Sequence, residues 1–162
     1  MSKVHGDTRY MQMAIDVAYR GVQEGAGGPF GAVIVKDNQV ISEGHNCVIC
    51  DTDPTAHAEM VAIRKAAQAL DQFDLTGCEI YVNGMPCPMC MGAIFWSRLD
   101  RVYYACDPEE ARIIGFDDAK FYEEMKKAPL KREVPFVQMV HMVPKARDCY
   151  RSWLKKLDRV PY

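Results

Sequence analysis

Long apolar runs are missing from these 162 residues. No window approaches the ~18 uninterrupted apolar positions that a membrane-spanning helix needs, so no span is expected. The start of the chain, Met1-Ser2-Lys3-Val4-His5-Gly6-Asp7, runs into an amphipathic segment without the apolar core of a secretory leader. An excess of positive charge is missing too. Lys and Arg number 20 against 22 Asp and Glu, a formal charge of −2, which argues against nucleic acid as the default partner because phosphate binding relies on clustered cations. Low-complexity stretches and internal repeats are also lacking, so a single domain spanning 1–162 is expected. Apolar residues, by contrast, make up 49% of the chain, enough for a packed core and too many for a disordered one.

The chain carries seven cysteines, at 47, 50, 78, 87, 90, 106 and 149. An odd number without an export leader predicts reduced thiols in the cytoplasm rather than a disulfide framework. Such thiols are either small core residues or ligands and nucleophiles. Cys78 and Cys106, in or at the ends of apolar β-branched runs, read as core thiols, and Cys149 as a helix residue without special chemistry.

Apolar residues at three- and four-residue spacing predict a helix over 7–24, halted by Gly25-Ala26-Gly27-Gly28-Pro29. Gly31–Lys36, the turn Asp37-Asn38 and Val40-Ile41 predict a hairpin. After a loop over 45–53, Asp53 and Pro54 read as the N-cap and first position of a second helix running to Leu70. Strands are predicted at Cys78–Val82, Arg101–Ala105 and Pro135–Val143. Helices are predicted from Pro86 to Trp96, in short pieces over 109–126, and over 145–158. The order implies a three-layer α/β/α sandwich around one mixed, five-stranded sheet.

Two short motifs fall at predicted helix starts: His57-Ala58-Glu59 and Pro86-Cys87-Pro88-Met89-Cys90. One imidazole and two thiolates make a three-ligand zinc set whose fourth tetrahedral position is left for water, the mark of a catalytic site. A helix N-terminus favours thiolate over thiol, and zinc lowers the pKa of bound water to about 7. Glu59, two residues after His57, suits proton transfer beside that water. Neither motif means much alone. Together, His-x-Glu followed by Pro-Cys-x-x-Cys is the pattern of the zinc deaminases that act on nucleobases. A rival lies within the chain, because Cys47-Val48-Ile49-Cys50 is a second Cys-x-x-Cys, and two such pairs could close a structural four-thiolate site. A zinc-stabilised binding module without turnover is the corresponding non-enzymatic reading.

The sequence resembles the cytidine-deaminase-like superfamily, and within it the small bacterial guanine deaminases. The likeness covers nearly the whole chain and is carried by Gly27–Asp37, Asn46, Asp53–Glu59, Ala62–Ala66, Pro86–Cys90, Gly92–Ile94 and Gly115-Phe116-Asp117-Asp118. It implies one zinc per subunit held by His57, Cys87 and Cys90, with Glu59 as proton shuttle and Asp118 as a second proton carrier. It places Asn46 and Phe30 in a purine pocket, to which Trp96 is a further candidate. The resemblance also implies a homodimer in which the C-terminal segment, about 145–162, crosses to the partner and Tyr162 closes a pocket. The implied reaction is guanine and water to xanthine and ammonia. The family's usual Cys-Glu-Pro-Cys is here Gly84-Met85-Pro86-Cys87, a change that leaves the ligands intact but makes the pocket edge less acidic. Guanosine, an amino-triazine or cytosine therefore stand as alternative substrates. So does adenosine in tRNA, for which the chain offers one basic cluster, Lys126-Lys127-Ala128-Pro129-Leu130-Lys131-Arg132.

Overall fold

A computed structural model of the chain describes residues 5–162. These divide into two compact units, one running to Ala119 and one spanning Lys120–Tyr162.

In the first unit, helix α1 covers Thr8–Gln23, with Asp7 as N-cap accepting from the Arg9 N–H at 2.9 Å. Strands β1 (Gly31–Lys36) and β2 (Gln39–His45) form the expected antiparallel hairpin. Asp37 and Asn38 both take positive φ, 49° and 62°, as a two-residue turn matched to strand twist requires. Helix α2 (Ala58–Leu70), strand β3 (Cys78–Gly84), helix α3 (Pro88–Trp96) and strand β4 (Arg101–Cys106) follow. The sheet order is β2-β1-β3-β4, with β1 antiparallel to both neighbours and β3 parallel to β4.

Alternation along β1 divides the core between the two faces of the sheet. Ala32 and Ile34 join Ile80 and Val82 beneath Ala58, Ala62 and Ala66 of α2. Val33 and Val35 join Tyr81 beneath Tyr10, Ala14 and Val17 of α1. Helices thus cover both faces, as in the expected three-layer sandwich. α1 lies so close to β1 that a Cβ on Gly31 would stand 2.2 Å from the Ala14 carbonyl oxygen. Ile34 is fully buried. Ile34→Ala should therefore cost about 2–5 kcal/mol of stability, read as a lower urea midpoint at unchanged slope.

Four expectations need correction. Among the described residues the sheet has four strands, not five. Pro135–Val143 forms no ladder. Proline lacks the N–H a ladder needs, and the Phe136 N–H donates back to the Pro129 carbonyl at 2.9 Å. A 3₁₀ turn at Val140–Met142 then leads into the last helix, which spans Val143–Lys155 rather than 145–158. The helix expected from Pro54 begins at Ala58, because the Asp53 carboxylate accepts instead from the Thr55 N–H and hydroxyl, at 2.8 and 2.7 Å. Cys106 is exposed rather than buried in the core; Cys78 is buried as expected. Helices α4 (Pro108–Ile113) and α5 (Ala119–Lys126) correspond to the short pieces predicted over 109–126.

Candidate active site

The delayed start of α2 matters for chemistry, since it makes His57 the N-cap rather than an interior helical residue. Its backbone is extended (φ −65°, ψ 156°), and Cys87 caps α3 in the same way (φ −68°, ψ 168°). Two helix N-termini thus present their capping side chains to one another. His57 Nδ1 lies 3.6 Å from Cys87 Sγ and 3.6 Å from Cys90 Sγ, and the three donor atoms fall within 4.8 Å of one another. Zn–N bonds of about 2.0–2.1 Å and Zn–S bonds of about 2.3 Å at a tetrahedral angle place nitrogen and sulfur about 3.5–3.6 Å apart. Both nitrogen–sulfur distances therefore fit a shared zinc. The rival four-thiolate site does not assemble among the described residues, because Cys47 and Cys50 group with Asp51 and not with Cys87 and Cys90.

The charges fit as well. Cys87 is drawn down to about 4 by hydrogen bonding from Cys90, with His57 adding to the effect. Cys90 is held up by the Cys87 sulfur and by burial. The hydrogen bond to Cys87 raises His57 against its own burial. Thiolate, thiol and imidazole thus share protons that a cation would replace, since metal ligands bind deprotonated. Glu59, in the first turn of α2, is buried at 7% exposure. Burial pushes its carboxyl above the usual carboxylate value, which suits a group that must hold a proton near neutral pH. Asp118 is likewise raised, first by burial and then by the Cys87 charge, and its Oδ1 is buried without a hydrogen-bond partner.

Residues 4–106 match the family described as the cytidine and deoxycytidylate deaminase zinc-binding region. The chain belongs to this zinc deaminase family. It is 42% identical over 156 residues to the guanine deaminase of Bacillus subtilis, covering 94% of this chain and 97% of that one. The X-ray structure of that guanine deaminase superposes with a TM-score of 0.89 at 41% identity, covering 97% of this chain and 99% of the other. A tRNA-specific adenosine deaminase of Aquifex aeolicus is 42% identical over 111 residues, 68% of this chain and 73% of its own.

Asn46, Phe30 and Phe116 of this deaminase sit on loops of the first unit. Asn46 is buried, and its Oδ1 accepts from the Val48 N–H at 3.1 Å and the Gly28 N–H at 3.3 Å. Those two donors fix the amide's orientation. A Cβ on Gly27 would lie 2.1 Å from that same oxygen, so the glycine makes room for the amide. Phe30 meets Phe116 edge to face at 5.0 Å, and Gly84 leaves space beside the Phe30 ring. Two of these neighbours were missed from sequence. Phe116 was within reach, inside the Gly-Phe-Asp-Asp stretch. Asn83 carried no signal, yet it accepts from the Gly31 N–H at 2.9 Å and donates to the Pro29 carbonyl at 2.8 Å, so it clamps the turn that bears Phe30. Trp96 closes α3 at 66% exposure. A nine-residue helix puts it about 13 Å along the axis from Cys87, so it does not join the metal ligands. Tyr162 belongs to the Lys120–Tyr162 unit and is exposed there.

Proposed function

We propose that this zinc deaminase hydrolyses guanine to xanthine and ammonia. The observation that supports it most is the pairing of an open three-donor metal set with two carboxyl groups whose proton affinity burial has raised. When bound, the ion supplies a Lewis acid and lowers the pKa of a water to about 7. Glu59 would take a proton from the attacking water and give it to the ring nitrogen beside the amino-bearing carbon, while the water oxygen bonds to that carbon. Glu59, re-protonated from the new hydroxyl, or Asp118 would then protonate the amino group, so that the C–N bond breaks and ammonia departs. With its Oδ1 occupied, Asn46 offers its NH₂ to an acceptor on the substrate, such as a ring carbonyl. Phe30, braced by Phe116, provides an aromatic face for the purine. Trp96, exposed at the end of α3, is a further residue for the edge of the purine pocket.

The purified enzyme loaded with zinc should release ammonia and xanthine from guanine. In a panel with guanosine, cytosine and amino-triazines, a faster rate on any of those would displace guanine. Gly27→Ala drives a methyl group against Asn46 and should lower kcat/KM for guanine by about 10²-fold while zinc content stays unchanged. An unaltered KM and kcat would remove Asn46 from the pocket.

A tRNA substrate fits less well. In the basic cluster, Lys126 is paired with Glu123 at 2.7 Å and Lys127 with Glu124. Arg132 lies over the Phe136 ring at 4.6 Å. These cations are occupied locally, where phosphate binding needs them presented together.

We further infer a homodimer in which the C-terminal unit serves the partner and Tyr162 closes the partner's pocket. No residue between 120 and 162 is buried, and Phe136, Val137, Val140 and Leu154 are all exposed. That much uncovered apolar surface on a small unit calls for a cover. Sedimentation at twice 18.4 kDa, with a raised KM in Tyr162→Ala, is the expected result. All seven cysteines are unpaired, which suits a reducing cytoplasm, and none of the described helices is long and apolar enough to cross a membrane.

A further inference from the structure

The second Cys-x-x-Cys has no part in deamination, yet its side chains are grouped. Cys47, Cys50 and Asp51 bring two sulfurs and a carboxylate oxygen within 4.8 Å of one another. Cys50 Sγ lies 3.5 Å from Asp51 Oδ1, and on the other side Cys47 Sγ lies 3.5 Å from His45 Nδ1. Ligand atoms around a tetrahedral zinc, with bonds of about 2.0–2.3 Å, stand about 3.5–3.8 Å apart. The Cys50–Asp51 and Cys47–His45 contacts each have that spacing, and the Cys47, Cys50 and Asp51 ligand atoms fall within the same 4.8 Å as the His57, Cys87 and Cys90 set.

The backbone that carries these groups is held in place. The Cys47 N–H donates to the Ala56 carbonyl at 2.8 Å, and the Ile49 and Cys50 N–H groups both donate to the Ala26 carbonyl at 3.1 Å. The Asp51 N–H returns to the Cys47 carbonyl at 2.9 Å, which closes the turn that places the second sulfur beside the first. Thr52, at φ 51°, carries the chain out of the turn in the left-handed region. Nε2 of His45 faces the Glu24 carboxylate at 3.5 Å and its Nδ1 lies 3.2 Å from the Asn46 carbonyl oxygen, so the imidazole stands beside the three-donor group rather than within it. Cys50 and Asp51 are exposed, so a cation has a path in and water can complete its shell.

We propose that Cys47, Cys50 and Asp51, with His45 beside them, form a second site for a thiophilic divalent cation, zinc in the first instance. Binding exchanges the two thiol protons for the metal and needs no redox partner. The site lies on a loop that backbone hydrogen bonds already hold in place, apart from the catalytic ligands.

Zinc counting on the holoenzyme tests this independently of any substrate. Reduced protein exposed to zinc chloride at neutral pH and then desalted should hold two equivalents per chain by elemental analysis. Cys50→Ser and Asp51→Asn should each hold one and turn over at the parent's rate. With cadmium as the probe, thiolate-to-metal ultraviolet absorption should accompany the second equivalent in the parent and be lost in Cys50→Ser. The proposal is overturned by a parent that stops at one equivalent or by a second equivalent that persists in both variants. It is equally overturned if Cys47 and Cys50 are recovered as a disulfide after zinc exposure in the presence of thiol reductant.

Discussion

Glu59→Gln is expected to keep one zinc in the catalytic centre and the parent's fold while losing about 10²–10⁴-fold in turnover on guanine. The substitution is nearly isosteric, and Gln cannot carry a proton between water and a ring nitrogen. Because the carboxyl is buried at 7% exposure and burial already disfavours its ionised form, an amide there removes a desolvation cost. The melting temperature should therefore stay level or rise, the trade between stability and activity typical of active-site carboxylates. Elemental zinc analysis, a thermal melt and steady-state rates decide the matter together. Activity within a few-fold of the parent would move proton transfer to Asp118. Loss of zinc and fold together would make Glu59 a structural residue.

How far the sequence could anticipate this site depends on whether a contact is local. The Cys87–Cys90 pair lies within one helical turn, and His57 and Glu59 lie at one helix start, so residue type and spacing were enough to name them. The β1–β2 hairpin was legible for the same reason, since Asp37 and Asn38 state their turn outright. The start of α2 was misplaced because Asp53-Pro54 satisfies the local capping pattern, while in the folded chain Asp53 bonds to Thr55 and the Cys47 N–H binds the Ala56 carbonyl. That second bond spans nine positions and leaves no periodic trace. The expected strand at Pro135–Val143 failed on similar grounds. Its run of apolar residues, broken only by Gln138 and His141, is real, but a strand exists only where another strand accepts its ladder. Asn46 could be named only through resemblance, and the reason it faces one way is the space at Gly27 together with the Gly28 and Val48 N–H groups.

Removal of zinc separates a catalytic centre from a structural one, and its effect should be the largest of all. Chelation is expected to abolish deamination and to leave a protein that still melts cooperatively. The core beneath α2, built on Ala32, Ile34, Ile80 and Val82, and the core beneath α1, built on Val33, Val35 and Tyr81, need no metal to exclude water. Losing the ion does not strand a bare charge in the centre either, because Cys87, Cys90 and His57 lie within hydrogen-bonding reach of one another and share the protons left behind. The stability lost is the binding free energy alone, about 4 kcal/mol if zinc had stood a thousandfold above its dissociation constant. That corresponds to a fall in melting temperature on the order of 10 °C. Activity should return as the first equivalent of zinc is restored. In His57→Ala the imidazole is gone for good, and the same addition should restore nothing. A chelated protein that loses its near-ultraviolet circular dichroism and unfolds without a transition would instead show that the ion holds α2 and α3 together, and the open-site reading would fall with it.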